Sequence, residues 1–80
     1  MKPNKEQAGQ LRAYAERAWA AMDENERFGV RVGLFPHRIM IDPELNPMLG
    51  PNGMANEGVD SQSFAVALMD LAGRKEGMLA

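Results

Sequence analysis

The sequence predicts a small, mainly helical domain spanning residues 1–80, with helices at about 5–22, 24–33 and 61–72 and a long irregular loop over 42–59. Three patterns lead there. Apolar residues recur at spacings of three and four over 5–22; Asp23 and Glu26 form a capping-box pair; and Asp60 precedes a stripe of Phe64, Ala67, Leu68 and Leu71. The competing prediction is an α+β arrangement of helix, hairpin and helix, and it turns on residues 28–34.

The first helix is the most secure element. Ala8, Leu11, Ala15, Trp19 and Met22 share one face, widened by Tyr14, Ala18 and Ala21, while Lys5, Glu6, Arg12, Glu16 and Arg17 face away. Trp19 is the only tryptophan. Its place in the stripe makes it a core anchor; the alternative is an exposed contact residue, since tryptophan is enriched at binding interfaces.

The stretch 23–36, DENERFGVRVGLFP, supports two readings. As a strand, Phe28, Val30, Val32 and Leu34 alternate with Gly29, Arg31 and Gly33, and a second strand would run from Arg38 to Asp42. As a helix, Asp23 caps, Glu26 reaches back, Arg31 sits in the last turn, Gly33 is the left-handed residue past the end and Pro36 the stop. The helix explains both ends and places Phe28, Val32 and Phe35 on one face. The core expected from it comprises Leu11, Trp19, Phe28, Val32, Phe64, Leu68 and Leu71.

From Ile41 the composition turns to loop chemistry, rich in proline, glycine and asparagine. Asp42, Pro43 and Glu44 suit a single capped helical turn, and Gly50, Pro51, Asn52 and Gly53 suit a tight turn. Within this loop Met48, Leu49, Met54 and Val59 need cover. They either fold back on the core or form an adaptable patch for a partner, methionine being suited to irregular surfaces. Asp60 then caps the last helix, which Gly73 is expected to stop.

Composition removes several classes of function. With no cysteine there is neither a disulfide nor a thiolate metal site, and no apolar run is long enough to cross a bilayer, so a soluble, cytoplasmic protein is expected. A net charge of −2 argues against bulk binding to nucleic acid or anionic membrane. The charge is unevenly spread: residues 42–60 hold Asp42, Glu44, Glu57 and Asp60 without a single base.

No motif for a catalytic, cofactor or metal site emerges. His37 has no second imidazole or thiol beside it, and Ser61 and Ser63 read as first-turn helix residues rather than nucleophiles. The oxygens of Asp42, Glu44 and Asn46 imitate a calcium loop, but Pro47 stands where that loop needs glycine and Gly53 where it needs its closing acid. A helix-turn-helix reading leaves only Asn25, Arg27 and Arg31 to face DNA, among Glu24 and Glu26.

The segment ERFGVRVGLFPHRIM, residues 26–40, resembles short uncharacterised proteins encoded by bacteriophages and prophages of proteobacteria, on Glu26, Arg27, Val30, Arg31, Gly33 and Pro36. The resemblance implies a phage accessory protein, a class that often binds and disables or redirects a host protein. The absence of a site constellation, the small size and the acidic, Met-bearing loop lead to the expectation of a non-enzymatic protein-binding module, an inhibitor or modulator of a host protein such as an immunity complex or polymerase. Its contact surface would comprise Asp42, Glu44, Met48, Leu49, Met54 and Glu57. The alternatives are a small dimeric DNA-binding regulator and a structural or assembly component, a homodimer being compatible with the first.

Overall fold

The computed structural model describes residues 4–49 and 61–79. They form four helices: α1 (Lys5–Ala21), α2 (Glu24–Arg31), α3 (His37–Met40) and α4 (Ser61–Leu79). No strand occurs among the described residues, so residues 24–31 take the helical alternative and the hairpin is excluded. Both α1 and α2 pack on α4.

The starts of α1 and α2 are set by side chains. Asn4 accepts the Gln7 N–H at 2.8 Å while the Gln7 side chain accepts the Asn4 N–H at 3.0 Å, a capping box one residue ahead of the expected helix start. The expected box at α2 is present as well, with Glu26 N–H to Asp23 Oδ1 at 2.8 Å and Asp23 N–H to Glu26 Oε1 at 2.9 Å. The carboxyl end of α1 is closed from outside. Arg27 Nε donates at 3.0 Å to the Trp19 carbonyl, which also accepts the Met22 N–H, and Arg38 donates to the Ala21 carbonyl at the last residue of the helix.

Arg38 also grips Glu26 with two prongs, Nε to Oε2 at 2.9 Å and Nη2 to Oε1 at 2.7 Å. That hydrogen bonding, followed by the Asp23 N–H, holds the Glu26 carboxyl below its ordinary pKa. Because the folded value lies below the unfolded one, the stabilisation is complete above the unfolded pKa of about 4.3 and is lost as pH falls through the folded value. The melting temperature of the wild type should therefore decline with acidification below about pH 4.3, and Glu26→Gln should decline less over that window. Melting curves recorded across the acid range check this; identical slopes would remove Glu26 from the account.

The end of α2 also follows its sequence signal. Gly33 has φ +85°, its N–H donates to the Val30 carbonyl at 3.1 Å, and the Leu34 N–H donates to the Gly29 carbonyl at 2.9 Å, a Schellman closure. The closure explains the interior glycine too, since a Cβ on Gly29 would lie 3.3 Å from the Leu34 carbonyl oxygen. Gly33→Ala should cost about 1–2 kcal/mol, the strain of a side chain in left-handed backbone. Gly73→Ala should act oppositely, adding about 0.4–1 kcal/mol, because the new methyl sits within a helix and meets nothing within 4 Å. Paired denaturant titrations test both signs.

The core gathers Leu11, Ala15 and Ala18 from α1, Met22 just past its end, Val30 from α2, Ile39 from α3, and Phe64, Leu68, Leu71 and Ala72 from α4. Two expected members are absent: Phe28 and Val32 are 63% and 66% exposed. α2 ends before Gly33, as its signal indicates, so Phe35 lies beyond the helix. Once the chain reverses at Gly33, Phe35 leaves the face shared with Phe28 and Val32; Val30, on the opposite side of the helix, turns inward instead. Phe35 packs against the core from the connection, and the unforeseen α3 inserts Ile39.

Trp19 is half-buried against the core edge rather than at its centre. The last helix also departs from expectation, passing through Gly73 to Leu79. Ion pairs hold its extra turns: Asp70 to Arg74 within the helix at 3.1 Å, Lys75 to Glu16 of α1 at 3.6 Å, and Glu76 to Arg31 of α2.

Candidate docking surface

The expected contact residues Asp42, Glu44, Met48 and Leu49 fall within one short stretch after α3, and it is far from irregular. Two Asx turns follow each other in the sequence Asp42-Pro43 and Asn46-Pro47. Asp42 Oδ1 accepts the Glu44 N–H at 2.9 Å, and Asn46 Oδ1 accepts the Met48 N–H at 3.0 Å. Between them the Leu45 and Asn46 N–H groups both donate to the Asp42 carbonyl, at 3.0 and 2.8 Å, which makes the single capped turn the sequence suggested.

Asn46 is the pin. It is the one buried polar side chain in the described core, and its Nδ2 donates to the Met40 carbonyl at 2.8 Å while its oxygen holds Met48. Both ends of the amide are thereby used, as a buried polar group requires. Pro47 beside it is fully buried. From outside, Arg17 Nη1 donates to the Glu44 carbonyl at 3.0 Å while its guanidinium lies 4.9 Å from the Tyr14 ring centroid, fastening the turn to α1.

The turn thus sorts its side chains. Met48 and Leu45 are half-buried and pack against the core, so Met48 belongs more to the scaffold than to a free patch. Leu49 is 37% exposed, Glu44 is exposed, Asp42 is half-buried, and neither carboxylate forms an ion pair among the described residues. Ile41, which the sequence reading did not include, is 58% exposed beside Asp42. Met54 and Glu57 lie outside the described residues, as do Val59 and Asp60.

The signal for Asn46 was present in the sequence as an Asn-Pro pair, a turn marker in its own right. The signal for Ile41 was its position directly after the α3 stripe, legible only once α3 is known.

Other candidate chemistry stays dispersed. His37 is exposed in the first turn of α3, and among the described residues no group of three or more His, Cys, Asp or Glu side chains is placed to hold a metal ion. Of the bases a DNA-reading helix would present, Arg27 is turned back to the Trp19 carbonyl and Arg31 is paired with Glu76. No described helix is long and apolar enough to cross a membrane. No protein-family model matches the chain, no curated protein does, and no solved structure matches its fold.

Proposed function

We propose that this chain is a non-enzymatic protein-binding module whose contact surface is the pinned turn at residues 41–49, and that it docks on a basic, partly apolar patch of another protein. One observation carries the reading. The turn is held from within by Asn46 and Pro47, yet leaves Ile41 and Leu49 to solvent beside two carboxylates that form no ion pair among the described residues. A surface loop fixed this firmly loses little conformational freedom on docking, which is where flexible loops forfeit affinity. Acids at its rim that form no ion pair among the described residues would steer a basic partner and set the register.

The resemblance over residues 26–40 makes a host protein the favoured partner, met in the host cytoplasm, with the chain acting as an inhibitor or modulator, for example of an immunity complex or polymerase. Capture from host lysate tests it. A protein retained by the wild type should be lost with Ile41→Ser plus Glu44→Lys, both exposed changes that leave the helical signal and melting temperature intact. Retention unchanged by that pair would remove the turn as the contact.

A further inference from the structure

A second concave surface uses none of the turn's residues. Trp19 at the end of α1, Phe28 and Arg31 on α2, and Ala72 and Lys75 on α4 surround a groove of about 390 Å³, with Arg27 on its wall. Phe28 is the unexplained member. It stands 63% exposed at the middle of the outward face of α2, where neither helix geometry nor the core requires an aromatic ring.

The charges around it are not equivalent. Arg31 lies 5.5 Å from the Phe28 ring centroid and is matched by Glu76. Lys75 reaches Glu16. Glu24, at the rim, occupies the first turn of α2, where the helix dipole favours an acid. Arg27 is different: it is half-buried, anchored by Nε to the Trp19 carbonyl, with its guanidinium 5.3 Å from the Trp19 ring centroid, yet it forms no ion pair among the described residues. A guanidinium fixed against an aromatic face and partly withdrawn from water is prepared for a carboxylate, which it binds through paired N–H donors. Tryptophan and arginine at one groove also match the composition of interface hot spots.

We infer that this groove receives an acidic segment of another protein, with a bulky apolar side chain laid on Phe28 and a carboxylate on Arg27. The occupant has the opposite charge to the partner assigned to the turn, so the two surfaces stand or fall separately. Trp19, the only tryptophan, reports on the groove directly.

The test titrates the full chain with a short blocked peptide of leucine and glutamate, and with its lysine counterpart, while following Trp19 emission. The glutamate peptide should give a saturable shift that weakens with added salt, and the lysine peptide none. Arg27→Gln and Phe28→Ser should each weaken binding about tenfold or more, as hot-spot truncations do. Phe28→Ser keeps the test decisive if loss of the Arg27 anchor disturbs the fold. No saturable response, an equal response to the lysine peptide, or full binding by Phe28→Ser would overturn the assignment. Emission that shifts with protein concentration alone, together with a dimer in sedimentation, would also overturn it by giving the groove to a second copy of the chain.

Discussion

Phe64→Ala is expected to lower the free energy of unfolding by about 3–5 kcal/mol, the loss of a buried aromatic side chain plus the cavity it leaves. Phe64 is the largest fully buried side chain and sits on α4, the helix against which α1 and α2 both pack. A domain of 80 residues holds only about 4–12 kcal/mol in total. The variant should therefore be marginal or unfolded at ambient temperature. Its natural control is Phe28→Ala. The same chemical change at a 63% exposed ring should cost no more than about 0.5–1 kcal/mol. Denaturant unfolding followed by helical circular dichroism gives both values, and equal losses would contradict the placement of α2.

Asn46→Ala should be the next most damaging change, at about 2–4 kcal/mol, although it removes little apolar area. It leaves the Met40 carbonyl and the Met48 N–H without their partners, and an orphaned buried polar group costs about 1–3 kcal/mol. The Met48 amide, which loses its acceptor, should lose more protection than amides in the middle of α1, whose protection falls only with the global stability. An equal loss at all amides would show that Asn46 supports the whole core rather than the turn.

What the sequence discloses, and what it withholds, divides along the range of the interactions involved. The α1 stripe, apart from exposed Ala21, the Asp23–Glu26 box and the Gly33 closure are set by residues within four positions of each other, and they are present as expected. The inward face of α2 was misassigned because it depends on where Phe35 goes after the reversal, which local periodicity does not determine. Gly73 reads locally as a stop because glycine disfavours helix; the contacts of Lys75 and Glu76 with α1 and α2, remote in sequence, override that preference.

For the surface, the acids and Leu49 were legible from composition, whereas the burial of Met48 and the two hydrogen bonds of Asn46 required the turn's own geometry. The exposure of Ile41 belongs to the same lesson. A single-turn helix at His37–Met40 has no periodic pattern long enough to be read, so the residue after it has no assignable face.

The central claim is that residues 41–49 are the contact, rigid before the partner arrives. Hydrogen exchange by mass spectrometry, on the chain alone and on the complex with whatever protein it captures, measures both halves of that claim at once. The account predicts slow exchange at the Asn46 and Met48 amides in the free chain and added protection across 41–49 in the complex. Fast exchange there in the free chain, or new protection confined to other elements, would contradict it.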